Sequence, residues 1–135
     1  MSQKRVLLVE DDPDTRLIYC TMLTTSGFHV IEARDGREGV ELARDHVPDL
    51  IVMNFVLPHI DGISATEIIR ANPATASTPI IACTAFVRED GAGMALDAGC
   101  DIYLEKPCEP TRLVAAVQKF FSGIEPAAAP VPAGG

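Results

Sequence analysis

Apolar residues gather in short runs along this chain: "RVLLV" (5–9), "DLIVMN" (49–54), "TPIIACT" (78–84) and "DIYL" (101–104). The first three are nearly unbroken in Val, Ile and Leu, a pattern that predicts strands covered on both faces, as in a parallel sheet. "FHVIEA" (28–33) alternates apolar with polar and predicts a strand nearer an edge. Between the runs the period lengthens to that of a helix. Pro13 behind a capping Asp12 opens a helix over 13–26, which Gly27 stops. In 36–47, Val40, Ala43 and Val47 fall at i, i+3 and i+7, and Pro48 closes the segment. Residues 63–71 follow the turn pair Asp61-Gly62 and carry Ile68 and Ile69, and 110–121 put Leu113, Val117 and Phe120 on one face. The stretch 88–99 holds three glycines and gives the weakest helical pattern. Strand and helix thus alternate five times, which predicts an α/β fold with a right-handed, doubly wound parallel sheet.

Residues 1–124 are read as one domain, and 125–135, rich in Ala, Pro and Gly, as a flexible tail. The length of 135 residues allows one full core and little else. A net charge of −8 argues against a nucleic-acid surface, which needs clustered Lys and Arg. No apolar stretch reaches membrane-spanning length, and the N-terminus lacks a signal-type apolar core, so a cytoplasmic protein is expected. Cys20, Cys83, Cys100 and Cys108 show no metal-type spacing with His29, His46 or His59, and are read as reduced, mostly packed thiols.

In an open parallel sheet, ligands sit beyond the carboxyl ends of the strands, where the strand order reverses. The residues expected there are Glu10, Asp11 and Asp12 after the first strand, Asn54 after the third, Thr84 after the fourth, and Lys106-Pro107 after the fifth. Oxygen ligands with spare negative charge suit Mg²⁺. An ammonium and a hydroxyl beside such a cation suit the oxygens of a phosphoryl group. Each has a plainer reading as well: Asp12 as a helix cap, Thr84 as a strand residue, Lys106 as a surface charge, Asn54 as a turn former.

Together, "VEDDPDTR", "MNFVLPHIDG", "IIACTA" and "AGCDIYLEKP" resemble the signature segments of bacterial response-regulator receiver domains, in order and over residues 4–122. The resemblance implies a flavodoxin-like (βα)5 sheet of order 2-1-3-4-5. It implies Mg²⁺ held by Asp11, by Glu10 through water, by position 54 and by the backbone carbonyl of Val56. It also implies that Thr84 and Lys106 bind phosphoryl oxygens, that Tyr103 is the switch aromatic reporting the state of Thr84, and that Lys106-Pro107 is a cis peptide. Implied partners are a histidine kinase or histidine phosphotransferase, and an output protein on the face of the fourth helix, fifth strand and fifth helix; a homodimer through that face is also open. The chemistry is self-phosphorylation and self-dephosphorylation within a signalling protein, not turnover of a separate substrate.

One position departs. The family has a nucleophilic aspartate where this chain has Asn54. An amide keeps the shape but offers a neutral oxygen, so phosphorylation is not expected. Two origins fit: a laboratory replacement that locks a single-domain phosphorelay receiver unphosphorylated, or a natural pseudo-receiver that works as a phosphorylation-independent interaction module. "GAGMAL" (91–96) mimics a dinucleotide fingerprint, but it lies too far past its strand and lacks the third small residue.

Overall fold

The apolar runs form five strands that alternate with five helices. The order is β1 (Arg5–Val9), α1 (Pro13–Thr25), β2 (His29–Ala33), α2 (Gly36–His46), β3 (Leu50–Met53), α3 (Gly62–Ala71), β4 (Ile80–Thr84), α4 (Gly91–Ala98), β5 (Ile102–Glu105) and α5 (Pro110–Phe121). This computed structural model describes residues 3–55, 57, 60–84, 91–106 and 108–122, with the backbone alone for 84, 91, 92, 94 and 95. The strands pair in parallel in the order β2-β1-β3-β4-β5, as expected from the sequence. The order reverses between β1 and β3, so the carboxyl ends of those strands lie at the switch point.

The pleat sends alternate side chains to opposite layers. Val6, Leu8, Leu50, Val52, Ile81, Cys83 and Leu104 pack on one side with Tyr19 and Leu23 of α1 and Leu113, Val114 and Val117 of α5. Leu7, Val9, Ile51, Met53, Ile80, Ala82 and Tyr103 pack on the other with Ala43 of α2 and Ala65 and Ile69 of α3. Two covered faces explain why the central strands read as continuous apolar runs. The edge strand β2 alternates because only part of it is covered; His29 and Glu32 are exposed.

Helix boundaries follow local chemistry. Asp12, Asp35 and Asp61 cap α1, α2 and α3, each accepting a bond from a backbone N–H three residues on. One expected inner face is corrected. Val47 is no core residue: it ends α2 in a left-handed conformation (φ 42°) and is exposed. The buried stripe of α2 is instead Gly36, Gly39 and Ala43. A Cβ on Gly39 would lie 2.9 Å from Val9 Cγ2, so glycine lets the helix approach the sheet. In α3, Ile69 is buried whereas Ile68 is exposed.

Arg70 fixes the far end of the sheet. Its guanidinium donates to the carbonyls of Gly99 (3.0 Å), Thr75 (3.3 Å), Ala76 (3.1 Å) and Thr78 (2.6 Å), and pairs with Asp101 at 3.0 Å. Asp101 in turn accepts from Ile80 N–H at 2.8 Å, joining the entries to β4 and β5. Among the described residues no helix is long and apolar enough to cross a membrane.

Candidate functional site

The parallel ladder continues one residue past each central strand and so sets two side chains together. Glu10 N–H donates to the Ala33 carbonyl (3.0 Å), and Asn54 N–H donates to the Val9 carbonyl (3.0 Å). Both side chains are buried, Glu10 at 2% exposure and Asn54 at 6%. A buried carboxylate is tolerated only when its oxygens are satisfied. Glu10 meets that condition twice over. Its Oε1 pairs with Lys106 Nζ, and its Oε2 accepts from Asn54 Nδ2 (3.2 Å) and from Asp12 N–H (3.1 Å).

The amide also reaches the neighbouring acid, since Asn54 Nδ2 donates to Asp11 Oδ1 at 3.1 Å. One amide nitrogen thus bridges two carboxylates. Acceptors on that side settle the amide orientation, because the oxygen would face two anionic oxygens if turned. Asp12, third in the acid run, does different work. Its carboxylate accepts from Thr15 N–H (2.8 Å) and Thr15 Oγ1 (2.6 Å), bonds that hold it below the usual carboxylate range. It is the cap of α1, and its carboxylate faces the helix.

The start of α3 is held tightly against Phe55, beside this cluster. Gly62 N–H donates to the Phe55 carbonyl at 3.0 Å. A Cβ on Gly62 would fall 2.3 Å from the Asn54 carbonyl oxygen and 2.5 Å from Phe55 Cα, so no other residue fits without moving the backbone. Asp61-Gly62, read from the sequence as a simple turn, therefore also sets how closely the start of α3 approaches Asn54.

The remaining sequence-predicted residues are placed unevenly. Thr84 ends β4 and sits in register with Glu105, which puts its backbone beside the approach to Lys106. Lys106 meets Glu10 directly, a pairing the sequence reading did not include. Tyr103 lies in register with Ala82, at 2% exposure, packed with the core on the α2–α3 side, and burial raises its phenol. Val56, His59, Pro107 (with the expected cis peptide) and the 125–135 tail lie outside the described residues, as does the side chain of Thr84.

Arg16 was missed altogether. Its Nη1 donates to the Glu10 carbonyl at 2.9 Å and its Nε lies 3.5 Å from Glu32, so α1 clamps the backbone beneath the acid pair. No sequence signal marks it beyond a basic residue early in the first helix.

Among the described residues, no group of three or more His, Cys, Asp and Glu side chains is arranged to hold a metal ion. The donors at hand are the carboxylates of Glu10 and Asp11 and the amide of Asn54. That set fits Mg²⁺, which takes one or two carboxylates and keeps several waters. Fitting it requires the amide to turn over, presenting Oδ1 where Nδ2 now points.

Comparison with known proteins identifies the family. Residues 6–118 match the family model for the response regulator receiver domain. The polar-differentiation response regulator DivK of Brucella anthropi is 31% identical over 118 residues, covering 87% of this chain and 96% of its own. A receiver domain of a Francisella response regulator superposes with a TM-score of 0.83 at 28% identity, covering 91% of this chain and all of that one. The receiver domain of a sensor histidine kinase from Pseudomonas aeruginosa, solved with a magnesium ion coordinated in its active-site cleft, is 35% identical with a TM-score of 0.82. That match covers 90% of this chain and 99% of the other.

Proposed function

The chain belongs to the response regulator receiver domain family, and from that premise we propose that it is a phosphorelay receiver whose chemistry is withheld at position 54. The observation that carries this reading is the seat of Asn54. It is buried at the switch point, at the carboxyl end of β3, with its amide nitrogen on both Glu10 and Asp11.

Attack on phosphorus needs an anionic oxygen with a lone pair to give. The Asn54 amide offers a neutral oxygen, and its nitrogen lone pair is delocalised into the carbonyl. The surrounding groups are those a phosphoryl acceptor would need. Lys106, now paired with Glu10, would turn to a phosphoryl oxygen, and Thr84 at the end of β4 would donate its hydroxyl to another. Tyr103 would follow Thr84 and reshape the α4-β5-α5 face for an output protein. Mg²⁺, held by Asp11, Asn54 Oδ1, the Val56 carbonyl and, through water, Glu10, would neutralise charge on a transferring phosphoryl group. The phosphodonor would be a histidine kinase or phosphotransferase in the cytoplasm.

Intact mass after incubation with a small phosphodonor and Mg²⁺ tests both halves of this reading. The protein as it stands should gain nothing, and N54D should gain one phosphoryl group. A gain by the unaltered chain would overturn the role given to Asn54. No gain by N54D would make the chain a phosphorylation-independent interaction module.

A further inference from the structure

Two of the four cysteines lie in the core layer beneath the site, on the α1–α5 side of the sheet. Cys83 is the penultimate residue of β4, one before Thr84 and in register with Leu104 of β5. The chain leaves β5 at Glu105 and brings Cys108, two residues past Lys106, over the same face. Tyr19 of α1 ties them together: its hydroxyl donates to the Cys108 carbonyl at 2.9 Å and accepts from the Cys83 thiol at 3.7 Å. The Cys108 thiol itself points to the Glu109 carbonyl at 3.6 Å, and both thiols lie in the same core layer.

We propose that Cys83 and Cys108 are a peroxide-sensitive dithiol that closes to a disulfide under the phosphoryl site. The two thiols are unequal in the way such a pair requires. Cys108 is at 7% exposure and Cys83 at 1%, so an oxidant arriving from solvent meets Cys108 first. Its neighbour Cys83, with help from Arg112 and Lys106, lowers the Cys108 thiol to about 7, whereas Cys83 is raised. The pair is thus biased toward the thiolate at Cys108, with Cys83 as the protonated partner.

The reaction balances with hydrogen peroxide as the oxidant. Cys108 thiolate attacks one peroxide oxygen, the O–O bond breaks, and hydroxide leaves with a proton as water, giving a sulfenic acid. Cys83 then loses its proton, attacks the Cys108 sulfur and expels the sulfenic oxygen as a second water. Two thiols and one peroxide become one disulfide and two waters. The link would pin the end of β4, next to Thr84, to the segment carrying Lys106. This inference does not rest on the reading of position 54.

The other two cysteines serve as internal controls. Cys100 faces the opposite core layer, 3.9 Å from Thr66 Oγ1, and burial pushes its thiol up to about 12. Cys20 sits on α1 against Thr24, and its thiol is raised by burial as well.

The test treats the unaltered protein with hydrogen peroxide, then denatures, alkylates and weighs it. Two of the four alkylatable thiols should be lost, with peptide mapping joining Cys83 to Cys108 and dithiothreitol restoring all four. In C83S, Cys108 should stop at a sulfenic acid that dimedone traps, and C108S should lose no thiols under the same dose. A link through Cys20 or Cys100, cross-linked dimers, or oxygen addition to Cys108 of the unaltered chain without a link would each overturn the proposal. So would full retention of all four thiols at a dose that oxidises a free cysteine peptide. The mapping on unaltered protein stands even if a serine variant folds poorly.

Discussion

Replacing Asn54 by aspartate should destabilise the metal-free protein, by an amount that the site geometry bounds from both sides. The substitution removes an amide nitrogen that donates to Glu10 at 3.2 Å and to Asp11 at 3.1 Å, and puts an anionic oxygen in its place. Two hydrogen bonds to charged acceptors are lost, worth about 1.5–3 kcal/mol each at buried sites and less where water competes, as it does at exposed Asp11. Like charges about 4 Å apart repel by roughly 4 kcal/mol at an effective dielectric near 20. Lys106 offsets part of this, but it is already paired with Glu10. Protonation sets the ceiling. An aspartate with an ordinary pKa near 3.9 can be protonated at pH 7 at a cost of about 4 kcal/mol, so the charge penalty cannot exceed that. The expected loss in N54D is about 2–4 kcal/mol at pH 7.

The same ceiling fixes the pH dependence. The introduced carboxyl has its proton affinity raised in the folded state, so the native variant binds more protons than the unfolded one. Its stability relative to the parent should therefore rise as pH falls, and at pH 5 the ceiling is only about 1.5 kcal/mol. Urea unfolding of both proteins in chelator, at pH 7 and pH 5, measures the gap directly. Mg²⁺ at ten times its Kd should return about 1.4 kcal/mol to N54D. If N54D equals or exceeds the parent at pH 7 in chelator, or the gap is the same at pH 5, the account of the amide as a bridge between two carboxylates fails.

Other positions give sharper contrasts. In the N54D background, D11A should abolish Mg²⁺-dependent NMR shifts whereas D12A should leave most of them, because Asp12 is occupied with Thr15. Equal losses would undo that division of labour. G62A should cost about 3 kcal/mol or more in denaturant unfolding, since its Cβ would meet backbone at 2.3 Å, whereas G27A, with φ of 101° but nothing within 4 Å, should cost about 1–2 kcal/mol. R70K should lower stability by about 2–3 kcal/mol, as an ammonium cannot span the carbonyls of Gly99, Thr75 and Thr78 together with Asp101. D35A should remove the α2 cap to Glu38 N–H (2.8 Å) at about 1 kcal/mol, read from the shift in urea midpoint.

What the sequence revealed and what it hid divide along the range of the interactions involved. Strand identity was legible because burial on both faces forces unbroken apolar runs, as in Leu50–Met53. Helix starts were legible at Asp12 and Pro13, where capping is settled within three residues. Val47 misled because a period of three and four cannot tell the last helical turn from a left-handed cap, and the glycines that carry the α2 stripe look like breakers until Val9 is seen against Gly39. The strand ends named the candidate site, since a parallel sheet delivers Glu10 and Asn54 to one edge. The partners within that edge lay beyond reach. Arg16 acts through a backbone carbonyl, and the bond from Lys106 to Glu10 spans 96 positions along the chain. The amide at position 54 belongs to both kinds. Its identity is local and was plain from the start, whereas its hold on two carboxylates depends on where β1 and β3 end relative to each other. An aspartate there would repel those acids and need a cation or a proton to settle them. Asn54 settles them itself, through the one amide nitrogen that bridges both carboxylates.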